Sequence, residues 1–302
     1  MGNRAVKVAV LMPSFNYARY LPLAIESVLS QSYSDLELII TDDCSTDGSR
    51  EIAEQWRRLD DRVVTVFHEV NRGLAATRNS ALAVSSGEFV ALCDADDIWL
   101  ADKLKIQLEC FRKQPQLGVV HSDAAIMNGD GNLTGQRFSS LFHGKDQKCS
   151  GMIFHELCLR NFVCVPTVVL KRECLEFAGG FDERLRSLED WFCWTRVARG
   201  YPFGYVQEPL VKYRIHDSAL SRQVRQMVRN RVLAISLILA EHSDIPSKVR
   251  SKLLYSMGTQ YVYLGDWGAA LRSFQDSLGE DIFNLRAWVR CGQVLLERLR
   301  HA

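Results

Sequence analysis

"ALCDADDIWLADKL", residues 91–104, sets an apolar run directly against three carboxylates. Asp94, Asp96 and Asp97 are followed at once by Trp99 and Leu100. The run in front, "EFVALC" (88–93), reads as a buried strand, and "ADKLKIQLECFRK" behind it as a helix. Ionised carboxylates crowded at the end of a buried strand repel one another unless a cation or hydrogen-bond donors stand between them. The acids also precede a helix, whose dipole would favour negative charge, but capping accounts for one carboxylate more easily than for three.

Outward from this stretch the first half of the chain alternates. "VKVAVLM" (6–12) is a continuous Val-rich run, as expected of a strand covered on both faces. "YLPLAIESVLSQ" follows with Leu21, Ile25, Val28 and Leu29 at helical spacing. "LELIIT" (36–41) and "VVTVFH" (63–68) read as further strands, "STDGSREIAEQWRRL" and "GLAATRNSALAVS" (73–85) as helices, and "GVVHS" (118–122) as a fifth strand. Strand and helix taking turns imply βαβ crossovers: an α/β, Rossmann-like, mostly parallel sheet with helices on both faces. In such sheets ligands bind beyond the carboxyl ends of the strands. Two acidic clusters fall there, "TDDCSTDGS" after the second strand and "DADD" after the fourth. A divalent cation shared at one site is the simplest compensation for both. "DDCSTDGSREIAE" also matches the spacing of a calcium loop, but the short β-branched strand before it excludes the preceding helix such a loop requires. Asp47 is expected to cap the next helix instead.

Past residue 123 the alternation breaks. "MNGDGNLTG" (127–135) has turn chemistry, and "VCVPTVVL" (163–170) is a strand candidate that Pro166 assigns to a sheet edge. "SLEDWFCWTRVARG" (187–200) starts a helix at Glu189 or Asp190 with Trp191, Trp194, Val197 and Ala198 inward, and "PLVKYRIH" (209–216) is a last strand ending in His216. A long helix with a basic start, "SRQVRQMVRNR", opens a C-terminal all-helical extension. Its final part has the small and aromatic rhythm of a tetratricopeptide-type hairpin, with Gly265, Trp267, Ala269, Ala270, Phe274, Leu278 and Ala287. About one repeat is visible, too few for a free-standing array. The expected division is residues 1–220 as the catalytic domain and 221–302 as the extension, which serves as a cap or a homodimer contact.

Composition narrows the classes. The chain has 302 residues, 47% of them apolar, and a net charge of +1, so nothing in its bulk charge favours nucleic acid. Nine cysteines without a C-x-x-C pair argue for reduced thiols and a cytoplasmic setting. Pro13 interrupts the N-terminal apolar stretch, which lacks the pattern of a signal peptide, and no window is long enough to span a bilayer. Peripheral contact with the inner face of a membrane stays open.

The stretches "VLMPSFNYARYLPLAIESVLSQSY", "LELIITDDCSTDGS", "NRGLAATRNSALAVSSGEFVALCDADD", "GGFDERLRSLEDWFCWTRVA" and "VKYRIHDSALS" occur in this order between Val8 and about Leu220. In sequence and order they resemble the inverting glycosyltransferases of family 2, which have the GT-A fold. The resemblance implies transfer of a sugar from a nucleotide-diphosphate donor to an acceptor hydroxyl. Such a reaction needs the diphosphate neutralised and the hydroxyl proton accepted. The resemblance places Asp94 toward the ribose or nucleoside and Asp96 on Mg²⁺ or Mn²⁺, with Asp97 a second candidate ligand. Either Asp42 or Asp43 accepts from the base, which points to a uridine diphosphate sugar, and Pro13, Ser14 and Phe15 wall that base. Arg78 reaches the nucleotide or its phosphates, or else pairs with the acidic edge. Asp190 is the candidate general base, with Glu189 beside it on acceptor hydroxyls. His216 joins the metal or the diphosphate, with Arg214 and Arg222 nearby. The acceptor, whether lipid-linked glycan, protein or small metabolite, is not legible. A sugar-nucleotide pyrophosphorylase would need a glycine-rich loop after the first strand, and "PSFNYARY" has no glycine. A noncatalytic scaffold using the helical tail is the remaining alternative, against which the intact acids speak.

Overall fold

The structure is a computed structural model and describes residues 7–143, 147–216 and 224–300. Its first half is a regular alternation: β1 (Val8–Ser14), α1 (Leu21–Leu29), β2 (Leu36–Asp42), α2 (Ser49–Leu59), β3 (Val63–Phe67), α3 (Leu74–Val84) and β4 (Phe89–Leu92). All residues of β1, β2 and β4 are buried, which is why these strands read as unbroken apolar runs. Within β2, Glu37 is a charged residue that interrupts the apolar run. Its carboxylate accepts from the Ser86 and Gly87 amides and pairs with Lys7 at 2.7 Å, so the charge is compensated where the strand meets the surface.

The second half comprises β5 (Ile98–Trp99), α4 (Lys103–Lys113), β6 (Val119–Asn128), β7 (Leu133–Arg137), α5 (Phe138–Phe142), α6 (Phe154–Leu159), β8 (Val169–Lys171), α7 (Arg172–Ala178), α8 (Glu189–Gly200) and β9 (Phe203–Ile215). Among the described residues the sheet runs β3-β2-β1-β4-β8-β6-β9-β5, with β7 added to β6. Pairs among β1 to β4 are parallel, as is β6 with β9; β8 runs antiparallel to both β4 and β6. The strand expected around Pro166 is therefore central, not an edge. Pro166 lies ahead of it in a 3-10 turn, Val165–Thr167, where its missing N–H leaves no gap in the ladder. Two apolar layers cover the sheet. One carries Leu21, Ile25, Val28 and Leu104 from α1 and α4, the other Trp191, Trp194, Leu157 and Leu175 from α6, α7 and α8.

Four helices follow: α9 (Val224–Glu241), α10 (Ser247–Leu264), α11 (Trp267–Glu280) and α12 (Leu285–Arg300). Ala234, Ile235 and Ile238 of α9 and Leu253 of α10 belong to the same apolar cluster as Trp191, whereas Ala270, Phe274, Ala287 and Val294 form a separate core. Gly258 lets α10 lie against the Phe274 ring, since a Cβ there would come within 2.6 Å of it. None of the nine cysteines is paired, and among the described residues no helix is long and apolar enough to cross a membrane.

Candidate active site

The carboxyl ends of β1, β2 and β4 and the start of α8 surround a cavity of about 810 Å³. Pro13, Ser14, Phe15, Asp43, Arg78, Asp94, Asp96, Glu189 and Asp190 all line it. The two acidic clusters anticipated from the sequence thus do share one site. Asp42, Asp97 and His216 stand behind the wall.

Each carboxylate has a distinct environment. Asp42 is 1% exposed and accepts from the Ser45 amide at 2.9 Å. Asp43 accepts from the amides of Arg72 and Gly73, both at 2.8 Å, and from His68 Nδ1 at 2.7 Å. His68 is itself braced by Ser80 through Nε2. Asp43 therefore anchors the loop that leads into α3, with Gly73 at φ +89° making the turn. Asp47 accepts from the Ser49 amide but stands one residue before the N-cap, Gly48.

Arg78, on α3, is fully buried. Its Nη2 donates to Asp94 Oδ1 at 2.9 Å and its Nη1 to Glu189 Oε1. One guanidinium thus links the end of β4 to the start of α8. Burial pushes the Asp94 and Glu189 carboxyls above their ordinary range, and Arg78 opposes this in both. Arg78 pairs with the acidic edge, as one of its two readings expected, and it also lines the cavity.

Asp96 points into the cavity, and His216 Nε2 meets its Oδ2 at 2.9 Å. The Tyr20 ring lies 5.1 Å from the His216 ring. Burial first, then Asp96, Asp94 and Asp97, push the Tyr17 phenol far above its usual range. Asp97 is 1% exposed and accepts from the Arg214 amide at 2.7 Å; burial, Asp96 and Asp94 raise its carboxyl strongly. Arg214 Nε donates to the Asp96 carbonyl at 2.7 Å. The last strand is thereby tied to the acidic turn through both the backbone and the side chain of Arg214. Arg222 lies outside the described residues.

Asp190 is 7% exposed, and its Oδ2 accepts from Asn161 Nδ2 at 2.7 Å. Burial raises its carboxyl, while Arg78 and then Asn161 lower it. Two residues earlier, at the N-cap of α8, Leu188 is held at φ +64°, a left-handed conformation that turns the chain sharply into the helix.

The family model for glycosyl transferase family 2 matches residues 9–168. The chain belongs to that family. TuaG of Bacillus subtilis, provisionally named a teichuronic acid biosynthesis glycosyltransferase, is 32% identical over 73% of this chain and 84% of its own length. WfgD of Escherichia coli, a UDP-Glc:alpha-D-GlcNAc-diphosphoundecaprenol beta-1,3-glucosyltransferase, is 29% identical over 71% of this chain and 79% of its own. Residues 1–349 of S. aureus TarS in complex with UDP superpose with a TM-score of 0.66 at 18% identity, covering 95% of this chain and 88% of that one. The mannosyltransferase PcManGT from Pyrobaculum calidifontis, in complex with GDP-Man and Mn²⁺, gives 0.59 at 20% identity, covering 96% and 84%. These neighbours share the GT-A fold. In this family 2 chain the matched span ends at Thr167 and Val168, so Glu189, Asp190 and His216 lie beyond it, in the half where the sheet is mixed.

Residues missed from the sequence include Tyr17, His68 and Asn161. "FNYARY" offered two tyrosines just past a strand end, a signal in retrospect. Nothing local marks Asn161, which reaches Asp190 only because α6 packs against α8.

Proposed function

We propose that the chain transfers a sugar from a nucleotide-diphosphate donor, a UDP-sugar, to an acceptor hydroxyl with inversion at the anomeric carbon. The observation that carries this is the pairing of two features in one cavity: an Asp96–His216 couple under the acidic turn, and an Asp190 carboxylate with one oxygen held by Asn161. Asn161 holds Oδ2 of Asp190, and the carboxylate, steadied also by the Trp191 backbone N–H, is the group offered to accept a hydroxyl proton. Glu189 orients Arg78 rather than touching the acceptor. Arg78, carrying Asp94 with it, faces the space assigned to the donor, and Pro13, Ser14 and Phe15 line its outer side. Bound UDP in TarS and bound GDP-Man with Mn²⁺ in PcManGT support a nucleotide-sugar donor.

The donor set at Asp96 and His216 fits Mg²⁺ or Mn²⁺. These ions are commonly held by one or two protein ligands with the rest of the shell supplied by phosphates and water. Among the described residues no three acids, histidines or cysteines are placed to hold an ion by themselves. When bound, the cation would neutralise charge on the departing diphosphate. Asp97 would serve from behind, fixing Arg214 and so the backbone of Asp96.

Calorimetry with UDP tests the reading. Mn²⁺ should tighten UDP binding to the native protein, and Asp96→Ala should abolish about a hundredfold of that gain while leaving metal-free binding nearly unchanged. Equal Mn²⁺-dependent affinity in the two proteins would refute the site.

A further inference from the structure

Asp96 is held in two ways, both from the end of β9. His216 Nε2 meets its carboxylate at 2.9 Å, and Arg214 Nε donates to its carbonyl at 2.7 Å. The two holding residues share one support. The Tyr20 ring lies 5.1 Å from the His216 ring, and the Arg214 guanidinium stands 4.6 Å over the Tyr20 centroid. Tyr20 is buried and forms the N-cap of α1. Its amide donates to the Tyr17 carbonyl, and the Tyr17 ring meets the His216 ring edge-on at 6.0 Å. Tyr17 lines the cavity, whereas Tyr20 stands behind it. The turn between β6 and β7 closes the cluster. Arg214 Nη1 donates to the Asn128 and Gly129 carbonyls at 3.3 and 3.2 Å, and a Cβ on Gly129 would come within 3.7 Å of the Tyr20 hydroxyl. Arg19, 5.2 Å over the same ring, pairs with Asp130 of that turn at 2.9 Å.

The loop that carries both tyrosines is fixed from the side of β2. The amides of Asn16, Tyr17 and Ala18 donate to Ser45, Ser49 and Asp47 at 2.9, 3.0 and 2.9 Å. Asn16 is thereby held at φ +60°, a conformation that a residue other than glycine keeps only where its surroundings over-determine it. A guanidinium is attracted to an aromatic face, and an imidazole packs against a neighbouring ring in a preferred orientation. One buried ring thus restrains both residues that aim Asp96. We propose that Tyr20 is a positioning residue for the cation site: its ring fixes His216 and Arg214 together, and through them the direction of the Asp96 carboxylate. The inference rests on the cation site proposed above.

Calorimetry of the full chain with UDP, with and without Mn²⁺, tests it. Tyr20→Leu should lose about tenfold or more of the Mn²⁺-dependent gain in UDP affinity. Tyr20→Phe should keep that gain, since the ring and not the hydroxyl makes the contacts. UDP affinity without the metal should be the same in all three proteins. In the Asp96→Ala background Tyr20→Leu should cost nothing further, because the two residues act on one site. Tyr20→Met fills much of the same space with a flexible chain and should behave as Tyr20→Leu, which keeps the test open if the Leu variant does not fold. A native gain in the Leu and Met variants overturns the inference. So does an equal loss of UDP affinity with and without Mn²⁺, which would mark the ring as general packing of α1, and so does a Tyr20→Phe variant as weak as Tyr20→Leu. If Asp96→Ala keeps the native Mn²⁺ dependence, the cation site itself fails. If Asp96→Ala loses it and Tyr20→Leu does not, the role of Tyr20 alone fails.

Discussion

At the ends of β2 and β4 the cavity's charges are largely closed on themselves. Asp43 is met by two amides and a histidine, and Asp94 by a guanidinium that also holds Glu189. Around the end of α6 and the middle of α9 the charges are less closed: Asn161 is the side chain that donates to Asp190, and Arg160 and Arg231 have no acid partner among the described residues. The first region is preorganised by these bonds. Under the function proposed above, the first would meet the donor and the second the acceptor.

The sharpest way to break the comparison is Asp190→Asn, which should lower transfer about a thousandfold or more while nucleotide affinity stays near that of the native protein. A comparable loss of UDP binding would erase the distinction between the two regions. Arg78→Met attacks the closed region: it leaves Asp94 and Glu189 without their shared cation and should cost about 3–5 kcal/mol in denaturant unfolding. An unchanged midpoint would mean that the bridge is not a structural element.

Asn161→Ala sharpens the contrast from the open side. The Asn161 amide lowers the Asp190 carboxyl against burial, so its removal raises that carboxyl further. Asp190 then takes up its proton at higher pH, and the acidic limb of kcat/KM should move upward, with about a tenfold loss at neutral pH. A limb that stays or moves downward would show that Asn161 does not tune the base. The smallest effect is expected far from both regions. Asp266 Oδ1 accepts from the Ala269 amide at 2.8 Å at the start of α11, so Asp266→Ala should cost about 1 kcal/mol, seen as a small drop in Tm with kcat unchanged.

Much of the first half, from β1 to β4, was legible because its physics is local. Strands covered on both faces must be unbroken apolar runs, helices between them must carry an apolar stripe, and acids at strand ends mark the ligand edge. Family membership and the GT-A fold followed from such stretches in order. Pro166 misled because its effect depends on where it falls: inside a strand it would mark an edge, but it lies in the 3-10 turn that feeds the central β8. The tail was read as a hairpin-like extension, but the sequence did not reveal that α9 and the start of α10 share the main core.

By itself the sequence determined the alternation of β1 to β4, the convergence of the two acidic clusters and the position of Glu189 and Asp190 at a helix start, since these depend on periodicity and on where strands must end. Only the tertiary structure decided which oxygens face the cavity and which are spent inside the fold. Arg78 meets Glu189 across more than a hundred residues, Asn161 meets Asp190, and His216 meets Asp96. Hydrogen bonds between distant segments are set by packing, and no residue pattern along the chain encodes them locally.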